Sequence, residues 1–213
     1  MNPFYFYTKL DQTILLGITT HSIPGLLDGI RRVPEASIYY HTHRYLQQHH
    51  YLSPEPPNDF AYWVNQILND VDLGEQLSSI DIIRLDSIQG IRLEFIDMLQ
   101  AYIASSVKLR ESPPGQEFHF MSSQTFAMQT PHTAHSIPDF LEQLRNVSVS
   151  SIYYHVFDAK LRLGHGENDF SRWFRDRGKI ALADAVARLD PYTYTLEGLR
   201  TKIITLAEKY GTD

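Results

Sequence analysis

Four histidines and two aspartates in this 213-residue chain recur at spacings that could arrange acid–base chemistry. The phrase HSIPGLLDGIRRVPEASIYYH runs from His21 to His41, and HSIPDFLEQLRNVSVSSIYYH runs from His135 to His155. Asn58-Asp59-Phe60 returns as Asn168-Asp169-Phe170. An imidazole beside a carboxylate is a common general acid–base pair, so His41, His155, Asp59 and Asp169 are the candidate catalytic residues. His21, His135, Tyr40, Tyr154, Tyr192 and Tyr194 are the candidate ligand-binding residues, because imidazoles exchange hydrogen bonds and tyrosine rings stack on sugars or bases.

A plainer reading competes at each position. A half-buried imidazole can tie a second helix to the loop before the first. Asn58 and Asn168 can cap a helix, with Asp59 and Asp169 in its first turn facing the dipole. Metal chelation finds no support. His41 and His43 would point about 200° apart on a helix, and His49 and His50 about 100° apart. His132 and His135 are three apart beside Pro131 and Ser136, which reads as a loop. Neither a metal nor another cofactor is expected. Asp158 and Arg162, four apart, suit a surface ion pair.

These residues need elements to position them. Phe4 and Phe6 match Phe118 and Phe120, and both recurring phrases are 114 residues apart. The offset falls to 110 at Asn58 and Asn168, then to 108 at Gly90, Arg92, Ile96 and Tyr102 against Gly198, Arg200, Ile204 and Tyr210. Whole-chain similarity at a nearly fixed offset marks an internal repeat. The halves are 1–107 and 116–213, joined by a polar Pro/Gly linker at 108–115 and expected to pack as one globular unit.

Each half opens with alternating aromatics, which predict a short strand; TILLGITT and TFAMQT predict a second extended piece. Ser22 and Ser136 are N-caps with Pro24 and Pro138 in the first turn. Ser37 and Ser151 start a second helix, on which Ile152, Val156, Ala159 and Leu163 form a stripe. Asn58 and Asn168 start a third, with Phe60 and Trp63, and Phe170 and Trp173, on its buried face. A fourth runs from Leu73 to Ile80. A long fifth runs from Ile88 to Tyr102, with its twin at Leu196–Tyr210. The fold class is mostly α (α+β with a few short strands): two homologous helical halves related by pseudo-two-fold symmetry.

Composition narrows the function. Hydrophobic residues make up 43% and charged residues 21%, enough for a core without covalent staples. Cysteine is absent, which removes disulfides, thiol nucleophiles and thiolate metal sites. The net charge of −6 with no Lys/Arg cluster argues against nucleic acid and anionic membranes. No secretory signal or membrane span is read, so a cytoplasmic location is expected.

The series Phe-x-Phe, SIYYH, NDFAYW, EFHFM, SIYYHVFDAKLRLG, NDFSRW and LDPYTYTLEGLR resembles an uncharacterised bacterial family, a domain of unknown function (DUF5752), over essentially the whole chain. The resemblance implies no activity, cofactor or catalytic residue. The reading is therefore a binding or regulatory module built by duplication, with an unknown protein or small polar ligand as partner, or a second copy in a homodimer. The alternative is an enzyme acting on a small polar or carbohydrate-related substrate through a His/carboxylate site.

Overall fold

A computed structural model of the chain describes residues 2–45, 57–82, 85, 87–105, 109–163, 167–189 and 193–210; for residues 162 and 163 it describes the backbone alone. About 60% of the described residues are helical, and among them there is one two-stranded sheet. The mostly α class therefore holds. The strands are not short, however. β1 (Phe4–Thr20) and β2 (Phe118–Ala134) are each 17 residues long and pair with one another. In β1 the expected second extended piece is continuous with the first. His132 lies in β2 rather than in a loop, with its Nδ1 2.8 Å from Gln143 Oε1.

α1 (Ile23–Arg32) and α6 (Ile137–Asn146) start where the sequence predicts. Ser22 accepts the Gly25 N–H and Ser136 the Asp139 N–H, with proline in the first turn of each. α2 (Glu35–Tyr39) and α7 (Val149–Tyr153) begin earlier than expected, after Pro34 and Ser148. Ser37 and Ser151 are thus inside these helices and fully buried, not caps.

Neither helix stays α-helical. α2 passes into a π-helical turn at Tyr40–Arg44, and α7 into one at Tyr154–Asp158 before α8 (Ala159–Leu163). A π turn inserts an extra residue per hydrogen-bonded ring and often marks a functional position. Here it changes which side chains share a face after residues 39 and 153. Ile152, Val156 and Ala159 are buried as the stripe requires, while the Leu163 side chain lies outside the described residues.

α3 (Asp59–Tyr62, continuing as a π turn over Trp63–Ile67) and α9 (Asp169–Asp176) follow their asparagine caps. Both cap side chains also donate onward, Asn58 to Leu77 O and Asn168 to Val186 O. These carbonyls end α4 (Val71–Ser78) and α10 (Ile180–Ala187). α5 (Ile88–Ser105) and α11 (Leu196–Tyr210) complete the order. Among the described residues no helix is long and apolar enough to cross a membrane.

The chain divides into two compact units. One contains Met1–Leu10 with Thr125–Asp213, and the other contains Asp11–Gln124. These boundaries differ from 1–107 and 116–213: each unit takes its Phe-x-Phe segment from the opposite part of the sequence. In the first, Phe4 and Phe6 pack on Phe140 and Phe170, with Phe6 and Phe140 ring centroids 5.3 Å apart. In the second, Phe118 and Phe120 meet His41, and Phe118 meets Phe60 and Trp63. Burying each such ring contributes about 1.5–3 kcal/mol, which makes the borrowed segment the core of its unit.

Residues 109–117 are not a loose linker either. Glu111 bridges to Ser22, Ser112 N–H donates to His21 O, and Trp63 Nε1 donates to Gln116 O at 2.9 Å.

Candidate functional site

His155 sits in the π turn after α7 and is 2% exposed. Its Nδ1 lies 2.7 Å from Oδ2 of Asp169, the first residue of α9. Its Nε2 lies 2.7 Å from the backbone nitrogen of Tyr7. An amide N–H can only donate, so Nε2 carries the lone pair and the ring proton is on Nδ1, donated to Asp169. Ser151 Oγ donates to the Tyr7 carbonyl at 2.6 Å. Both backbone groups of Tyr7 are therefore satisfied by side chains of α7 and its π turn.

The Asp11–Gln124 unit repeats the arrangement. His41, 1% exposed, has Nδ1 2.6 Å from Asp59 Oδ2, and its Nε2 accepts the Met121 N–H at 2.9 Å. Ser37, the match of Ser151, makes no hydrogen bond through Oγ among the described residues. The predicted tie between the second helix and the loop before the first is thus replaced by a tie among a π turn, a helix N-terminus and a strand. A general base needs a free lone pair within reach of its substrate. In both rings that lone pair is already committed to the backbone.

An open cleft of about 410 Å³ lies beside His155. One wall is α9, where Asp169, Arg172, Trp173 and Asp176 fall at i, i+3, i+4 and i+7 and so share a face. Tyr5 and Tyr7 from β1 and Tyr154 from the π turn also line it. Tyr7 and Tyr154 lie with ring centroids 6.3 Å apart. Trp173 is fixed from several sides. Its Nε1 donates to Asn2 O at 3.3 Å, Phe140 stacks on it at 5.3 Å, and the Arg177 guanidinium sits 3.5 Å from its ring centroid. Burial lowers the pKa of Arg177, with neighbouring Asp176 opposing the shift. The Asp169 side chain is 18% exposed, so its carboxylate borders the cleft while holding His155.

The other predicted residues are dispersed. His21 and His135 are exposed and do not join the His–Asp pairs. Tyr40 is half-buried, with the Arg44 guanidinium 5.1 Å from its centroid. Tyr194 is half-buried and is not a lining residue of the cleft. Tyr192, His49 and His50 lie outside the described residues. His43 is buried and stacks on Tyr39 at 5.6 Å. Asp158 pairs with buried Lys9 at 2.7 Å, where an ion pair with Arg162 was expected; the Arg162 side chain is outside the described residues. Among the described residues no group of three His, Asp or Glu side chains is placed to hold a metal ion.

Sequence reasoning did not assign Tyr5, Tyr7, Arg172 or Asp176 to a site. Extending the helical spacing forward from Asp169 would have found Arg172 and Asp176. The two tyrosines needed the knowledge that the first strand packs in the unit holding residues 125–213.

A family model described as "Family of unknown function (DUF5752)" matches residues 1–208. The chain is also similar to the solved structure of OrfY from Thermoproteus tenax, at 28% identity and a TM-score of 0.83. That likeness covers 100% of this chain and 97% of the other. No curated protein matches the chain.

Proposed function

The chain belongs to the family of unknown function DUF5752, and from that premise we propose that it is a non-catalytic binding module, built by internal duplication, that takes a small polar ligand in the cleft beside Tyr7 and Trp173. The observation that carries this reading is the state of the two histidines. Each spends Nδ1 on an aspartate and Nε2 on a strand amide. A group so placed fastens a strand; it has no lone pair left to take a substrate proton. The cleft supplies what binding needs: aromatic walls, a few charged groups and room for a small molecule.

The duplication reading is supported by matched geometry. β2, α6, α7 and the π turn after α7 each start 114 residues after their counterparts and have the same lengths. The His–Asp and His–amide contacts and the asparagine caps recur on matched residues.

One observation favours the enzyme alternative. Asp169 both borders the cleft and is positioned by His155, so a carboxylate acting on a small polar or carbohydrate-related substrate would sit there.

Screening a library of small polar metabolites against the full chain by NMR separates the two. The expected result is a ligand that shifts the Trp173 indole and the Tyr7 amide and is recovered unchanged. Turnover of any library member that is lost in Asp169→Asn, with binding retained, overturns the module reading.

A further inference from the structure

We propose that the cleft beside His155 takes a neutral polyhydroxylated molecule, a carbohydrate, and that the matched surface of the Asp11–Gln124 unit does not. This deepens the binding reading above and rests on it.

The lining decides the class by charge and by pattern. Along one face of α9 the polar groups run acceptor, donor, acceptor: Asp169, Arg172, Asp176. The Asp169 carboxylate accepts from His155 Nδ1 and still borders the cleft, with its side chain 18% exposed. Arg172 and Asp176 are exposed, and among the described residues neither makes a side-chain hydrogen bond or an ion pair. An anionic ligand would face two carboxylates. A cation would face a guanidinium placed between them. A hydroxyl group suits both, donating to a carboxylate and accepting from the guanidinium, each as a charge-assisted bond. Adjacent hydroxyls on a sugar ring meet this alternation directly. Tyr5, Tyr7 and Tyr154 add ring surface for its apolar C–H faces and hydroxyls for its edges. The volume of about 410 Å³ lies within the range of small-molecule sites.

The matched positions of the other unit keep the fastening and lose the lining. Asp59, Trp63, Tyr40 and His41 correspond to Asp169, Trp173, Tyr154 and His155. At the positions of Arg172, Asp176, Tyr5 and Tyr7, however, stand Tyr62, Gln66, His119 and Met121. The alternating charged groups and two of the tyrosines are absent, while the His–Asp–strand tie remains.

The two tryptophans report on one unit each, Trp63 on Asp11–Gln124 and Trp173 on the other. Their indole N–H signals in the full chain are followed by NMR while glucose, maltose, lactose and sucrose are titrated in turn, with tetramethylammonium and inorganic phosphate as cation and anion probes. The expected result is that at least one sugar shifts Trp173 and leaves Trp63 in place. Arg172→Met and Asp176→Leu should each weaken that sugar about tenfold or more at unchanged Tm, since both side chains are exposed. The proposal is overturned if no sugar shifts Trp173, if the shift survives both substitutions, or if Trp63 responds equally. A Trp173 response to tetramethylammonium or phosphate with none to sugars overturns the ligand class and leaves the binding reading standing. Silence from every probe and from the wider metabolite library removes both.

Discussion

His155 holds Tyr7 by its backbone: the Tyr7 N–H donates to Nε2 at 2.7 Å across 148 positions of sequence. Two further ties lie on either side of that bond. Ser151 Oγ takes the Tyr7 carbonyl, and Lys9 pairs with Asp158. One short helix and its π turn thus grip the first strand at three points, with Phe4 and Phe6 packed beneath. The imidazole is the centre of this grip, because it also locks onto α9 through Asp169. A strand recruited from so far away in sequence gains its contacts only after a large loop has closed, which favours late docking during folding.

Removing the imidazole should therefore loosen the strand rather than abolish a reaction. His155→Ala takes the imidazole away from the Tyr7 amide and the Asp169 carboxylate and opens a cavity among aromatic rings. The expected cost is about 2–4 kcal/mol in urea unfolding. Hydrogen exchange at the Tyr7 amide should accelerate in parallel. His41→Ala should do the same for Met121. Unchanged stability with an equally protected Tyr7 amide would show that the histidine does not fasten the strand.

The elements of this site were legible in unequal measure. Ser22, Ser136, Asn58 and Asn168 announced their helices because capping is a local contract between a side chain and an amide two or three residues away. The recurrence of His41 with His155, and of Asp59 with Asp169, marked the right side chains. It could not reveal their partners, since nothing local says that Tyr7 or Met121 will arrive from another part of the chain. The π turns were missed for a similar reason. Their register departs from the α period by one residue, a change too small to show in a short apolar stripe. Arg92 and Arg200 were visible as a matched pair, but their role depends on a neighbouring helix end.

The Lys9–Asp158 pair gives a second test of the grip. Its side chains are only 1% and 10% exposed at 2.7 Å. Lys9→Met removes the cation 2.7 Å from a buried carboxylate and should cost about 3–5 kcal/mol. The double substitution Lys9→Met with Asp158→Leu removes both charges, and should recover most of that loss. Thermal denaturation of the two variants reads the difference. If the double variant is as unstable as the single one, the loss comes from packing and not from the lost ion pair.

Acid should weaken the turn that leads into β2. Backbone N–H groups of Glu117 itself and of Gly115 hold the Glu117 carboxyl below its usual pKa, and His119 and His21 act in the same direction. The Gly115 N–H donates to Glu117 Oε1 at 3.1 Å. A carboxyl lowered on folding contributes stability above its unfolded pKa and loses it as pH falls through the folded value. Glu117→Gln should therefore flatten the acid side of the stability–pH curve while leaving the neutral plateau nearly unchanged. The change is small, and an unaltered acid limb would show that the group carries no linkage.

The paired arginines should differ in what they hold. Arg92 is 7% exposed, and its Nη1 donates to Ile30 O at 2.7 Å and to Val33 O at 2.8 Å, closing the C-terminal end of α1. Arg200 donates to Leu144 O at 2.5 Å at the corresponding end of α6, but also pairs with exposed Glu197. Both carbonyls are held by the two in-plane protons of one nitrogen, Nη1, which the shorter Lys side chain does not place at the same point. Arg92→Lys should thus cost about 1.5–3 kcal/mol, whereas Arg200→Lys, which keeps one carbonyl and one carboxylate within reach of an ammonium, should cost about half as much. Chemical denaturation of both variants checks the order. Equal losses would mean that the second carbonyl of Arg92 adds nothing to the closure of α1.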